Sequence, residues 1–293
     1  MRLYVYAIID SNPEGIVLPI PFSRQKSRDP DLSGKERTNS GVEESIKGLS
    51  EAPVYTIPYR DIGIVVSDLD PQVQIETKES ILKHEEVVEA LMDRFTVLPM
   101  RLYTVFSKKE DMFLKVKNHY EDFVENLDRV RDKREYGIKV IWAGDIIKER
   151  IINAHKNESP AHPEQSGIKF MKEKFEKYKI DKEFEEEADR CIAIVDGFLS
   201  RHASEKKLEK LKTDNLLLSA SYLVDNEKRD DFKKAFEELK SSGGDLKFML
   251  SGPWPAYNFI TLSHSVDGKF GGPDLIETIL QHKDPEKKEG RDE

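Results

Sequence analysis

The sequence predicts an α+β protein of two domains, from the order of its segments, its length and a long helical pattern near its middle. Strand-like and helical segments come first in the order strand, strand, helix, strand, helix, strand, which suits one mixed sheet with two helices. After a helical stretch, the order strand, strand, helix, strand follows. A chain of 293 residues can bury two cores of ordinary size. We therefore expect an N-terminal domain over residues 1–144 and a C-terminal domain over residues 145–270.

The N-terminal domain is predicted from apolar runs and one clear helical periodicity. A strand over Arg2–Ile9 ends in a continuously apolar run, so we expect that end to be buried on both faces. Apolar residues between Lys78 and Arg94 recur at helical spacing and predict an amphipathic helix. The remaining predicted elements are strands over 61–67, 96–105 and 136–142 and a second helix over 112–127. Pro99 places the third strand at a sheet edge or a bulge.

Residues 19–52 differ in composition from the segments around them. They are rich in Pro, Ser, Gly and charge and contain hardly any paired apolar side chains. Too little apolar surface is available there to offset the entropy of ordering the chain, so we predict a disordered insertion. The alternative is a recognition segment that becomes ordered on binding. A disordered tail is predicted for residues 271–293, since no apolar side chain occurs from about residue 283 onward.

The C-terminal domain is predicted to begin after Gly144 with a helical arm. Asp145 can cap a helix that runs to about residue 157. From about Glu164 to His202, apolar residues step by three and four in two registers, which predicts a bent or hairpin-like arm resembling a coiled coil. The following strands and helix predict a modified ferredoxin-like domain. These elements are strands over 207–211, 216–224 and 246–251 and a helix around 232–239.

Composition and charge exclude several classes of partner. The net charge is −9, from 47 basic and 56 acidic residues, and no basic stripe with interleaved aromatic residues occurs. Nucleic acid is therefore not expected as a partner. No segment approaches a membrane-spanning length or a signal-peptide core, so we expect a cytoplasmic protein that binds no membrane. Cys191 is the single cysteine, which excludes an intrachain disulfide, and we expect it to be a small buried hydrophobe.

The sequence lacks the residue spacings that metal, cofactor and catalytic sites require. None of the seven histidines belongs to a His-x-x-x-His or Glu-x-x-His pair, so a helix-borne metal site has no support. The glycine pairs at 243–244 and 271–272 lack the lysine and hydroxyl residue of a phosphate-binding loop. We therefore expect no cofactor and no enzymatic activity.

The most distinctive stretch is an apolar strand that runs into a proline-rich aromatic turn. Pro253 and Pro255 fix their own φ angles, and each pushes the preceding residue toward extended geometry. This geometry holds the rings of Trp254, Tyr257 and Phe259 in fixed directions. The rings either close a core at the strand end or form an aromatic platform for a partner, since Trp and Tyr are over-represented among interface anchors. We expect Trp254 and Phe259 to be mostly structural and Tyr257 to be more exposed.

This turn resembles a signature of the gas vesicle accessory proteins F and L, the GvpF/GvpL family. Residues 251–259 read Ser-Gly-Pro-Trp-Pro-Ala-Tyr-Asn-Phe, similar to the family's Gly-Pro-Trp-Pro-Pro-Tyr-x-Phe, with Ala256 replacing the second proline. Residues 98–101 read Leu-Pro-Met-Arg as in the family, although Leu-Tyr follows where the family has Phe-Gly. Residues 1–8 and 215–225 also resemble family strands. The four segments occur in the family's order, but they do not separate F from L.

The resemblance implies a non-enzymatic protein of gas vesicle assembly, or a minor vesicle component. Such a protein would bind the hydrophobic major shell protein and other accessory proteins, in the cytoplasm and at the gas vesicle. Arg101, Trp254, Tyr257 and Phe259 are the candidate partner-binding residues. Arg101 is either a surface arginine paired with a carboxylate or a contact to a partner or another domain. The alternatives are a ligand-sensing regulatory protein, which needs a pocket with convergent polar groups, and, with least support, an enzyme.

Overall fold

The structure of the protein, a computed structural model, describes residues 1–11, 46–158, 166–210 and 215–262. Within these ranges the fold is α+β, with six α-helices and two β-sheets. Contacts between Cα atoms group the chain into two compact units. The first unit is Met1–Asp132 together with the chain from Trp254 onward, and the second unit is Lys133–Pro253.

The first unit contains a five-stranded antiparallel sheet built around strand β1. Its strands are β1 (Arg2–Ile9), β2 (Val54–Tyr59), β3 (Ile62–Leu69), β4 (Val97–Pro99) and β5 (Val105–Phe106). They lie in the order β2-β3-β1-β4, and β5 pairs with the beginning of β1. The last six residues of β1 are all buried, which confirms the prediction from its continuous apolar run.

Two strands of this sheet differ from the sequence predictions. Strand β2 was missed because Pro58 interrupts its pattern, and the structure places it at the sheet edge, where proline is tolerated. The single strand predicted over 96–105 is two short strands, because the chain turns between them. In this turn the Met100 N–H donates to the Tyr6 carbonyl at 2.8 Å, and Tyr103 has a φ of 65°.

Three helices belong to the first unit, where the sequence predicted two. They are α1 (Lys78–Leu91), α2 (Lys109–Asn118) and α3 (Tyr120–Val130). Helix α1 begins at a capping threonine, since Thr77 Oγ1 accepts from the Ser80 N–H at 3.1 Å. The helix predicted over 112–127 is divided at His119, which leaves helical geometry and hydrogen bonds through its ring to Asp122.

The end of the predicted insertion is ordered. Most of residues 19–52 lie outside the described residues, as does the predicted tail, and only 46–52 can be compared. Ile46 and Leu49 are buried in the core of the first unit, and a short 3-10 turn covers Leu49–Glu51. The Leu49 N–H donates to the buried Tyr6 hydroxyl at 2.8 Å. The prediction of disorder is therefore wrong for residues 46–52, because two separated apolar side chains suffice to anchor them.

The second unit contains a four-stranded sheet covered by helices. Its strands are β6 (Lys133–Ile141), β7 (Glu205–Lys210), β8 (Leu216–Asp225) and β9 (Lys247–Trp254), in the order β7-β8-β6-β9. Its helices are α4 (Gly144–Glu158), α5 (Ser166–Leu199) and α6 (Arg229–Ser242). The core is aromatic at one end, where the Phe232 ring lies 5.2 Å from Tyr136 and 5.6 Å from Tyr222, measured between centroids.

Strand β6 corrects the sequence prediction, which assigned residues 136–142 to the first sheet and placed the boundary near Gly144. It pairs with β8 along its whole length, with Tyr136 opposite Tyr222 and Ile138 opposite Ala220. The alternation of β6 shows which residues face a core, but it carries no information on which sheet that core belongs to. Contacts divide the units between Asp132 and Lys133, twelve residues before Gly144.

The two sheets share one strand order. In each unit, the strand that comes first along the chain lies between the third and the fourth, and the second lies beyond the third. A helix connects the third strand to the fourth in both, α1 in the first unit and α6 in the second. Helices α4 and α5 form the connection after the first strand of the second unit. The turn that ends the last strand of the second unit therefore returns the chain to the first unit.

Candidate partner-binding surfaces

The aromatic turn after β9 is buried in its own chain. Trp254 is 7% exposed, Tyr257 4% and Phe259 1%. Tyr257 packs against Ile81 of α1 and the half-buried Leu102 and Tyr103. The expectation that Tyr257 would be more exposed is therefore wrong, because the turn folds it onto the segment that follows β4.

Glycine is required at the entry to this turn. Gly252 has a φ of 107°, a backbone conformation that side chains other than glycine rarely adopt. The Gly252–Pro253 peptide bond is cis.

Helix α3 fixes the residues after the turn through polar side chains. Asn126 Nδ2 donates to the Thr261 carbonyl at 2.7 Å, and Asn126 Oδ1 accepts from the Thr261 N–H at 3.0 Å. Arg129 donates to the Phe259 carbonyl at 3.1 Å. Helix α3 thus holds residues 259–261, where the signature ends.

Replacing Asn126 by alanine is expected to lower the free energy of unfolding by about 1–3 kcal/mol, because both Thr261 backbone groups lose their partly buried hydrogen bonds to this buried side chain. Urea unfolding followed by circular dichroism measures this loss. Thr261→Ala is the matched control, since it keeps the backbone groups that Asn126 contacts. An Asn126→Ala protein as stable as the control would contradict the assignment.

Arg101 lies half-buried in the turn between β4 and β5. Its backbone is fixed, because its carbonyl accepts from Thr104 Oγ1 at 2.7 Å and from the Thr104 N–H at 3.2 Å. The neighbouring Met100 is buried. Tyr257 of the aromatic turn packs against Leu102, which directly follows the Leu-Pro-Met-Arg segment. The structure therefore brings this segment and the aromatic turn into one region of the first unit.

A buried polar network that the sequence analysis missed supports this region. The Tyr103 N–H donates to the Tyr4 hydroxyl at 3.2 Å, and that hydroxyl lies 3.0 Å from His84 Nδ1. His84 is fully buried, and burial lowers its pKa to about 3, although a hydrogen bond from the imidazole to the Met100 backbone acts in the opposite direction. Its place in an apolar helical pattern was the only sequence signal.

The N-terminal half of α5 carries three large apolar side chains that are exposed. Met171 is 71% exposed, Phe175 59% and Tyr178 66%. They are spaced by four and three residues, so they lie on one face of the helix. In contrast, Ala188, Val195 and Leu199 in the C-terminal half belong to the core of the second unit. The sequence predicted this apolar periodicity along the arm, but periodicity does not reveal whether a face is covered.

The charge on α5 divides in the same way. Residues 166–182 contain six lysines and three acidic residues, a net charge of +3, whereas residues 183–199 contain six acidic residues and one arginine, a net charge of −5. Lys179 Nζ lies 4.9 Å from the centroid of the Phe175 ring, a cation–π contact beside the exposed stripe. We call Met171, Phe175 and Tyr178 the α5 stripe. Lysines lie beside this stripe.

Other kinds of site find little support among the described residues. They contain no group of three or more metal-ligating side chains, and none of their helices is long and apolar enough to cross a membrane. A cleft beside α1 has Glu51, Glu79 and Lys83 in its lining, but Lys83 is already paired with Glu86 at 2.9 Å.

Comparisons with known proteins agree on one family. The sequence profile described as "Gas vesicle synthesis protein GvpL/GvpF" matches residues 2–261. The chain is 25% identical over 235 residues to gas vesicle protein F1 of Halobacterium salinarum, covering 79% of this chain and 92% of that protein. It is also 25% identical to gas vesicle protein L1 of that organism, covering 73% of this chain and 83% of that protein. The similarity thus extends to both F and L proteins.

Solved structures share the fold. The crystal structure of the gas vesicle protein GvpF from Anabaena sp. PCC7120 matches with a TM-score of 0.69 at 18% identity, over 90% of this chain and 99% of that chain. GvpF from Microcystis aeruginosa matches with a TM-score of 0.68 at 18% identity.

Proposed function

Because the chain belongs to the GvpL/GvpF family of gas vesicle synthesis proteins, we propose that it is a non-enzymatic accessory protein of gas vesicle assembly. Its proposed partners are the hydrophobic major shell protein and other accessory proteins, and its proposed location is the cytoplasm and the gas vesicle. The names of its F and L relatives support the association with gas vesicles. The second unit is proposed to be a modified ferredoxin-like domain, which its element and strand order supports.

The α5 stripe is the observation that supports binding of an apolar partner. Three large apolar side chains on one helix face remain more than half exposed. Exposed apolar side chains scattered singly are normal, but a contiguous cluster is typical of an interaction site. Covering the stripe would remove apolar surface from water on both partners, at about 25 cal/mol per Å². We place the shell-protein contact on this stripe.

Burial favours a positioning role for Trp254, Tyr257 and Phe259. A partner could reach their rings only if the turn left its contacts with α1 and α3. Direct partner binding by these residues and Arg101 stays a prediction. Arg101→Ala is the informative variant, because its half-buried side chain is the most accessible of the four.

The test is co-expression of the tagged protein with the shell protein, followed by affinity purification. We expect the wild-type protein to retain the shell protein. Changing Met171, Phe175 and Tyr178 together to serine should lower the retained amount at least about tenfold, since anchors at an interface centre dominate binding energy. Circular dichroism should show an unchanged fold, because all three side chains are exposed.

The matched control changes three exposed apolar side chains that lie apart from one another. Leu114, Ile194 and Met249 are 60%, 60% and 49% exposed, on α2, the C-terminal half of α5 and β9. Their triple serine variant should bind like wild type. If soluble shell protein fails to co-purify with wild type, the proposed function is wrong. If the control loses as much binding as the stripe variant, the contact lies elsewhere.

A further inference from the structure

The charges beside the α5 stripe carry information on the chemistry of its partner. Lys174 lies three residues after Met171 and four before Tyr178, and Lys179 Nζ lies 4.9 Å from the centroid of the Phe175 ring, so these two exposed lysines flank the stripe. The half-helix has a net charge of +3 on a protein whose net charge is −9. The stripe is therefore an apolar surface with basic flanks on an otherwise acidic molecule.

We infer that the stripe binds an amphipathic helix whose apolar ridge is flanked by aspartate and glutamate. This inference rests on the proposed function. The spacing of Met171, Phe175 and Tyr178 matches the i, i+4, i+7 anchors by which two helices pack. Acidic flanks on the partner would face the lysines, and opposite charges at an interface rim select the partner and speed association. The 17 residues of the half-helix span about 25 Å, enough for several turns of a partner helix.

Two other occupants fit the structure less well. An anionic lipid surface also attracts basic amphipathic helices. However, this half-helix includes Glu173, Glu176 and Asp181 beside its six lysines, and these carboxylates would be repelled by anionic headgroups. A second copy of the chain could pair its acidic half of α5 with this basic half. In that half, Ala188, Val195 and Leu199 already lie in the core, and Asp189 and Asp196 pair with Lys210 and Lys206, so no matching apolar ridge is left.

The experiment uses the full chain and two fluorescent helical peptides of roughly 20 residues, long enough to cover the half-helix. Both peptides share one apolar ridge of leucine and phenylalanine, and one has glutamate flanks whereas the other has lysine flanks. Anisotropy titrations at low and high salt give the dissociation constants. We expect the acidic peptide to bind at least about tenfold more tightly at low salt, with the difference shrinking at high salt because exposed charges are screened.

Charge-reversal variants test whether the lysines beside the stripe contribute to binding of the acidic peptide. Lys174→Glu with Lys179→Glu should weaken binding of the acidic peptide by about 3- to 10-fold, the range expected for two exposed ion pairs. Lys233→Glu with Lys234→Glu is the matched control, because both lysines are exposed on α6 and the change in net charge is the same. The control should bind like wild type at moderate salt.

The inference is overturned if both peptides bind equally, if neither binds, or if the α6 control weakens binding as much as the α5 variant. Binding to anionic vesicles that outcompetes the acidic peptide would overturn it in favour of lipid. If sedimentation shows a dimer for the wild-type protein but not for the stripe variant, the inference is overturned in favour of a second copy. The proposed function is tested separately. If the shell protein binds wild type and the Lys174/Lys179 variant equally, only this inference is refuted.

Discussion

Replacing Trp254 by alanine is expected to lower the free energy of unfolding by about 3–5 kcal/mol, and Phe259→Ala should fall in the same range. Both rings are buried, at 7% and 1% exposure, so each change removes apolar contacts and leaves a cavity that the rigid turn cannot close. Trp254 and Phe259 belong to the first unit. Hydrogen exchange should therefore show loss of protection in α1 and α3 before β6 and β8.

A control variant keeps the ring and changes only the polar tip. Tyr257→Phe should cost far less than either alanine variant, because the packing against Ile81 is retained. The outcome that contradicts a structural role is a Trp254→Ala protein that unfolds like wild type and loses shell-protein binding. That result would instead support the alternative, in which the turn is an aromatic platform for a partner.

Local chemistry made much of the fold predictable from the sequence. The burial of β1, the helix after Lys78 and the arm ending near His202 all follow from apolar periodicity, which depends only on nearby residues. Residues 46–52 were misjudged for the same reason. Ile46 and Leu49 are too few to form a local pattern, and their value comes from contact with Tyr6 and other residues distant in the chain.

The candidate surfaces were less predictable, because exposure is a property of the tertiary structure. The apolar steps of α5 look alike along the sequence, yet Val195 is buried and Phe175 is exposed. The prolines predicted fixed ring directions in the aromatic turn, but the surface that the rings cover depends on α3 and on the segment after β4. The sheet to which β6 belongs could not be predicted from its alternation either.

Lowering the pH is expected to destabilise the first unit through His84. The imidazole has a pKa of about 3 in the folded protein and about 6.5 in an unfolded chain, so the folded state binds fewer protons between these values. The free energy of unfolding should then fall by about 1.4 kcal/mol for each pH unit below 6.5, or about 3 kcal/mol by pH 4.5. Urea unfolding at a series of pH values from 4 to 8 measures the slope.

Aspartate and glutamate side chains also affect how the free energy of unfolding changes with pH. Two variants separate the contribution of His84 from theirs. His84→Gln cannot take up the proton, so its unfolding free energy should vary less steeply below pH 6.5, although it is less stable at neutral pH because the contact with Tyr4 changes. Tyr4→Phe removes the hydroxyl that lies 3.0 Å from Nδ1 but leaves the imidazole buried, so the steep slope should remain. Equal slopes for wild type and His84→Gln would show that the imidazole reaches water before the unit unfolds. A shallow slope in Tyr4→Phe would instead show that the hydroxyl, and not burial among the strands and α1, keeps the imidazole neutral.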